Sequence, residues 1–530
     1  MRRFGWLILA LGSLGSFACT STLNEQIRTG RNAKLTVDTS IDSLSDSSKR
    51  ADAAVASIEH HPNFLLGVIE FSDEGLAWSE EQRTKVLEEV KAAANGVDDK
   101  GQHLQGAEHQ DGAILVTFVH GWQHNASLCD DNVACFRRVL DYLGREEVRY
   151  SEAVHREPRK VIGLYIGWRG LLYCGSPATF TSIWNRKSID EHLGNFQART
   201  VINQVLRIYT DLRQHHPKSR LIMAGHSLGA GVLYSAVAPL IRQRLHDAID
   251  VATEGVKPKA HDATRITLPI IRDLGDDSDG LRLAIPDLVV LANPAFEAEL
   301  YKATPRDLSY MAKYNLHFDP KQQPILVTVS SPRDWVTGVI FPVGQFIYVA
   351  FHPTLWLHGP FYLARTMITS AKYPTFITDE AITSPTASAP PHKSKPGSSC
   401  FDKDAVILAT DFGGDCGCGE ILPGSVTTLR AAAAIQPPPG PPPGPGRKIP
   451  VVSLKHLRAD VDASNPFLVV RADGKMINSH DDIYNATFLS FLEDLLISVE
   501  IHEPMPLTNA SNAGKGLPSV VGTTAIGMRR

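Results

Sequence analysis

The sequence predicts an α/β chain built on a mostly parallel central sheet with helices on its faces. Continuous apolar, β-branched runs recur, and each ends in polar or glycine-rich residues, as strands buried on both faces of a parallel sheet do. Segments of helical spacing separate these runs, which is the pattern of β-α-β units. A third observation places the chemistry. Residues 220–232, RLIMAGHSLGAGV, pass from an apolar run through Gly225-His226-Ser227-Leu228-Gly229 into a helical pattern, a G-x-S-x-G string in strand-turn-helix context.

Taken in order, the chain starts with a basic Met1-Arg2-Arg3, an apolar run over residues 4–14, and Ser16-Phe17-Ala18-Cys19. This reads as a signal peptide over residues 1–19 and predicts export. Cys19 resembles the lipidated cysteine of bacterial lipoproteins. Ala18 fits that pattern, whereas Ser16 stands where leucine is usual, so lipidation, plain secretion and an uncleaved anchor stay open. The resemblance implies a periplasmic or outer-membrane lipoprotein that meets a membrane surface through Cys19. Of seven cysteines, six remain if Cys19 is modified, an even number suited to disulfides outside the reducing cytosol. Cys129 with Cys135 would close a small loop, and Cys400 could reach Cys416 or Cys418. The last three lack the C-x2-C spacing of a metal site. A net charge of -4 offers no field for nucleic acid.

Residues 20–60 are polar and read as a tether, with the folded domain expected over residues 61–500 and a polar tail over 501–530. A strand is predicted at residues 64–71. The helix of residues 79–95 follows, with Ser79 and Gln82 as a capping box and Gly96 beyond its end. The strand at 113–119 runs into His120-Gly121-Trp122-Gln123-His124-Asn125, and that at 161–166 into Gly167-Trp168-Arg169-Gly170. A helix with Val201, Ile202, Val205, Ile208, Tyr209 and Leu212 on one face leads to the Ser227 turn. Downstream, residues 288–291 lead to Asn293-Pro294, residues 325–329 to Ser330-Ser331-Pro332-Arg333-Asp334, and residues 467–470 precede His480 and a helix over 482–499. Two long insertions are expected at about 246–282 and 373–450, the second carrying the polyproline-like run of 436–447.

Residues 335–364 contain no Lys, Arg, Asp or Glu. Pro342, Pro353 and Pro360 argue against a membrane span. Buried core, or an apolar wall or lid beside Asp334 that accepts an acyl chain or meets lipid, are the competing readings. Leu171, Leu172, Tyr173 and Trp184 form another apolar group near the strand ends, and Trp168 with Arg169 reads as a brace for the pocket.

Ligands of open parallel sheets bind at the carboxyl ends of strands, where all these polar residues fall. Ser227 is the candidate nucleophile, His480 the base and Asp334 the acid, with Glu297 as the alternative acid. Asp334 also suits a helix cap or turn. His120 and His124 are four apart but lie on a loop, so they do not read as a metal pair.

With these residues in place, residues 111–499 resemble the α/β-hydrolase superfamily in its lipase and esterase branch. Gly225-His226-Ser227-Leu228-Gly229 is similar to the lipase form of the nucleophile elbow, His120-Gly121-Trp122 is similar to the HG-x oxyanion loop, and the order Ser227, Asp334, His480 is that of the family. The resemblance implies that the amides of Trp122 and Leu228 hold an oxyanion, and that carboxylic esters are cleaved through an acyl-enzyme with no metal or organic cofactor. The loop departs from the HGGG form, which leaves the acyl and alcohol preference open. An acyltransferase using the same residues, or a non-catalytic envelope interaction protein on the same fold, are the alternatives.

Overall fold

The computed structural model describes residues 24–36, 55–97, 102, 111–128, 130–172, 179–255, 264–273, 283–383 and 452–501. Thirteen strands occur among them: β1 (Gly30–Thr36), β2 (Ala56–His60), β3 (Phe64–Phe71), β4 (Ala113–Val119), β5 (Lys160–Trp168), β6 (Arg220–His226), β7 (Ile266–Thr267), β8 (Leu288–Ala292), β9 (Leu316–His317), β10 (Leu326–Ser330), β11 (Asp379–Thr383), β12 (Val452–His456) and β13 (Phe467–Arg471). Eleven form one sheet in the order β1-β2-β3-β5-β4-β6-β8-β10-β13-β11-β12, with β7 and β9 paired separately. From β3 to β11 every neighbouring pair is parallel. At the edges, β2 is antiparallel to β3 and β12 to β11.

The expected alternation is present. Helices α1 (Glu80–Ala94), α2 (Asp131–Ala153), α3 (Thr179–Asn195), α4 (Gln197–His215) and α5 (Leu228–Ala252) fall between the first parallel strands. They are followed by α6 (Ala298–Tyr301), α7 (Ala303–Lys313), α8 (Phe341–Phe351), α9 (Pro360–Met367) and α10 (Ala486–Ile501). Successive side chains of a strand point to opposite faces, and β4 shows it. Leu115 and Val119 join a buried cluster with Val86 of α1, Val205 of α4 and Val232 of α5. Ile114, Val116 and Phe118 join a second, with Phe136 of α2 and Phe488 and Phe491 of α10. Both faces of the sheet are therefore covered, which is why its strands read as unbroken apolar runs.

Several expectations need correction. Residues 20–60 are not simply a tether, because β1 and β2 extend the sheet from within them. The helix after Ser227 runs on to Ala252, so the first insertion starts later than residue 246 and contains β7. The second expected insertion contributes β11 to the sheet, while residues 384–451, with the proline-rich run and Cys400, Cys416 and Cys418, lie outside the described residues. So do Cys19, Cys129, Tyr173, Cys174 and the tail over 502–530. The last helix begins at Ala486 rather than 482; Asn485 accepts the Phe488 amide at 3.0 Å as its cap. At α1 the capping box is half formed. Ser79 Oγ accepts the Gln82 amide at 3.1 Å, but the Gln82 side chain turns inward to Arg28 O and Ser57 Oγ at 2.9 and 2.8 Å.

Candidate active site

Ser227 sits between β6 and α5 with φ 56 and ψ -121, a backbone region that costs a residue with a Cβ on the order of 1–3 kcal/mol. Three hydrogen bonds hold it there: its amide donates to Ala292 O at 3.0 Å, and its carbonyl accepts from Ala295 at 3.0 Å and Ala230 at 3.2 Å. The flanking glycines permit the turn. A Cβ on Gly225 would lie 2.7 Å from Ala230 Cα, and one on Gly229 would lie 2.3 Å from the carbonyl oxygens of both Val119 and His120. Strand, turn and helix thus pass within backbone contact, which only a residue without a side chain allows.

His480 bridges the other two predicted residues. Its Nε2 lies 2.7 Å from Ser227 Oγ and its Nδ1 3.0 Å from Asp334 Oδ2. Asp334 follows β10, and its orientation is fixed by the Val336 and Thr337 amides, which donate to Oδ1 at 3.0 and 3.2 Å, and by the Thr337 hydroxyl on Oδ2. The helix-cap role anticipated for this residue type is therefore real and coexists with the contact to His480. Glu297, the alternative acid, instead pairs with Lys187 Nζ at 2.9 Å and accepts from Gln345 at 2.6 Å.

All three residues are buried: Ser227, Asp334 and His480 are 0, 1 and 5% exposed. Burial opposes the charge on Asp334, but His480 and the Thr337 hydroxyl outweigh it and hold the carboxyl down at about 2. Burial likewise disfavours the imidazolium of His480, yet the Asp334 carboxylate raises its pKa above 6.5.

The two residues anticipated as oxyanion donors, Leu228 and Trp122, are chain neighbours of Ser227 and Gly121. Leu228 opens α5 directly after Ser227. Gly121 approaches from the β4 loop so closely that a Cβ on it would lie 2.6 Å from Ser227 Cβ and 3.3 Å from its Oγ, and Trp122 is the next residue in the chain. The Trp122 indole is buried and donates to Ser182 Oγ at 2.9 Å. His120 braces the loop. Its Nδ1 donates to Gly121 O at 2.9 Å, its Nε2 accepts the Trp168 amide at 3.0 Å, and its ring stacks on Trp168 at 5.5 Å. Burial lowers its pKa to about 4, keeping it neutral. His124 is the opposite case: burial works against its charge, but Asp130 at 3.2 Å lifts it to about 9. Arg169 joins Arg186 on Asp73, so it braces the scaffold rather than lining the hydroxyl's surroundings.

Two residues were not singled out in the sequence. His226, the first variable residue of the G-x-S-x-G string, donates through Nε2 to His480 O at 2.9 Å; burial, then the proximity of His480, lowers its pKa to about 3. Asn293 donates to the same carbonyl at 2.7 Å and accepts the Ser331 amide at 3.1 Å. His226 is the last residue of β6 and Asn293 the first after β8, and each ties the His480 loop to the sheet. Their only signal in the sequence is a polar side chain at a strand's carboxyl end. His226, His480 and Asp481 bring potential metal-ligand atoms within 4.8 Å of one another. Both His480 nitrogens are already engaged, so an ion there would dismantle the Ser227–His480–Asp334 contacts.

Comparison with protein-family models, with curated proteins and with solved structures finds no match.

Proposed function

We propose that this chain is a serine hydrolase of the α/β-hydrolase type that cleaves carboxylic esters through an acyl-enzyme. The observation that carries the reading is the His480 bridge, with Ser227 on one ring nitrogen and Asp334 on the other. His480 Nε2 takes the Ser227 proton as Oγ attacks the ester carbonyl, and Asp334 fixes the ring and offsets its developing charge. The amides of Trp122 and Leu228 receive the oxyanion, each worth about 2.7–4 kcal/mol in comparable sites. His480 then returns the proton to the departing alcohol, and water repeats the sequence on the acyl-enzyme. This chemistry calls on no metal or organic cofactor. Cys135 is disulfide-bonded, which supports an oxidising, exported location.

A fluorophosphonate probe tests the assignment. The adduct is expected on the peptide that contains Ser227, located by mass spectrometry. A chain that stays unlabelled, or an adduct on another serine, would overturn the reading.

The base must be neutral to act, so kcat/KM is expected to rise with pH through a midpoint above 6.5, the direction in which Asp334 moves His480 against the effect of burial. Removing the carboxylate charge with Asp334→Asn should move that midpoint down. An acid limb centred below 6.5 in the wild type would contradict the pairing.

A further inference from the structure

We propose that the exposed apolar face of residues 335–361 docks on a lipid bilayer, turning the Ser227 end of the sheet toward the membrane. The consequent substrate class, esters carried in a membrane, rests on the hydrolase reading; the docking itself does not.

The segment had been expected to be core, wall or lid, and the structure leaves much of it uncovered. It departs from Asp334, forms α8, a 3-10 turn (Pro353–His358) and α9, and returns to the sheet end at Ser370–Lys372. Both ends are pinned. Lys372 Nζ donates to Asp334 O at 2.6 Å, Gln345 to Glu297 at 2.6 Å and Arg365 to Glu299 at 2.6 Å. One side of α8 packs inward, with Phe341 buried and Gly344 directly against the Trp184 indole. The other side presents Val343 and Phe346, and the segment continues outward through Phe351, Leu357 and Phe361, which are 79, 87 and 74% exposed. Contiguous apolar surface of this kind marks an interaction site.

The chemistry selects lipid over another protein. A protein interface ordinarily carries a polar, charged rim, whereas residues 335–364 contain no Lys, Arg, Asp or Glu. Trp335, Tyr348 and Trp356 are half exposed within the patch, the residue types that settle at the headgroup level. Among the described residues no helix is long and apolar enough to cross a membrane, so the segment would lie in the interface plane.

The N-terminal chain supplies an independent argument. β1 starts beside Ala56, at the end of β2 that faces the carboxyl end of β3. Just before it, the buried Arg28 donates its amide to Glu70 at 2.6 Å and its Nε to Ala126 O, beyond the carboxyl end of β4, at 2.7 Å. The chain preceding Arg28 therefore reaches the fold at the same sheet end as Ser227 and the apolar face. Seven strand spacings separate β1 from β10, about 34 Å along that rim. Cys19 precedes Asn24 by five residues, a reach of at most about 18 Å. A lipid on Cys19, or insertion of the apolar run over residues 4–14, would hold this rim against the bilayer at a second point.

The test uses the full chain and vesicles of phosphatidylethanolamine and phosphatidylglycerol with brominated acyl chains, which quench tryptophans that enter the bilayer. The wild type is expected to be quenched, and Trp335→Phe/Trp356→Phe to lose most of that quenching, which separates the patch from Trp6 in the N-terminal run. Phe351→Ser/Leu357→Ser/Phe361→Ser, confined to exposed positions, should lower occupancy of the patch at least about a hundredfold while hydrolysis of a soluble short-chain ester is unchanged. The patch signal is the quenching lost on Trp335→Phe/Trp356→Phe; a Trp335→Phe/Trp356→Phe variant quenched as fully as the wild type, or a patch signal that survives in Phe351→Ser/Leu357→Ser/Phe361→Ser, overturns the proposal. So does an unquenched wild type that self-associates through this face, as a second copy would then be the occupant. Quenching without any ester turnover would sink the hydrolase reading and leave the docking standing.

Discussion

Ser227→Ala is expected to lower kcat on a soluble short-chain ester by about 10^6, His480→Ala by a comparable factor, and Asp334→Asn by about 10^4. The three act as one unit, so the double and triple variants should be hardly slower than Ser227→Ala alone. The Asp334 step follows from its hydrogen bonds. Oδ1 is committed to the Val336 and Thr337 amides, leaving Oδ2 at 3.0 Å from His480 Nδ1. In the asparagine variant the side-chain oxygen satisfies those two amides and the NH2 group faces His480. That group donates where Asp334 accepts, which favours the tautomer with the proton on Nε2, pointing at Ser227 instead of ready to receive its proton. Glu297→Gln is the control: bound to Lys187 and Gln345, it should leave kcat at the wild-type value. Steady-state kinetics with thermal unfolding midpoints separate these effects from misfolding. An inactive Glu297→Gln with a fully active Asp334→Asn would reverse the assignment of the acid.

The parallel strands were legible because each is buried on both faces and so reads as an uninterrupted run; residues 113–119 and 288–291 nearly coincide with β4 and β8. The meeting of Ser227, His480 and Asp334 was legible because a parallel sheet brings the residues after its strands' carboxyl ends together, whatever their sequence separation. The edges were not. In β2, ASIEH, the buried position that breaks the apolar pattern is Glu59, which is fully enclosed because arginines from two distant segments meet it. Hydrophobic periodicity cannot register a strand whose interior contact is an ion cluster. Residues 335–364 failed in the opposite direction: apolarity ordinarily signals burial, and here much of it faces outward.

That ion cluster leads to the largest expected effect on stability. Glu59 accepts from Arg137 through both carboxylate oxygens, Arg28 Nη1 lies 3.3 Å from it, and His61 Nε2 is 3.1 Å away. Arg28 also binds Ala56 O and Ala126 O, so this cluster joins the segment before β1 to β2 and to the loop after β4. Glu59→Gln retains the shape and removes the charge, leaving two buried guanidinium groups without their counter-ion; the expected loss is about 3–5 kcal/mol, read from urea unfolding. Burial works to raise the pKa of Glu59, but Arg137 foremost, with the hydrogen bonds and Arg28, holds it far below 4.5. A depressed carboxylate contributes stability that is present above its unfolded pKa and lost as pH falls toward the folded one. The wild type should therefore lose this contribution progressively below pH 4.5, and Glu59→Gln should lack that part of the acid dependence. Exchanging the cluster together, as Arg28→Met/Glu59→Leu/Arg137→Met, is expected to cost less than Glu59→Gln alone, because neither guanidinium then stays inside without Glu59 as its counter-ion. If Glu59→Gln unfolds at the wild-type midpoint, the cluster does not hold β1 and β2 to the sheet.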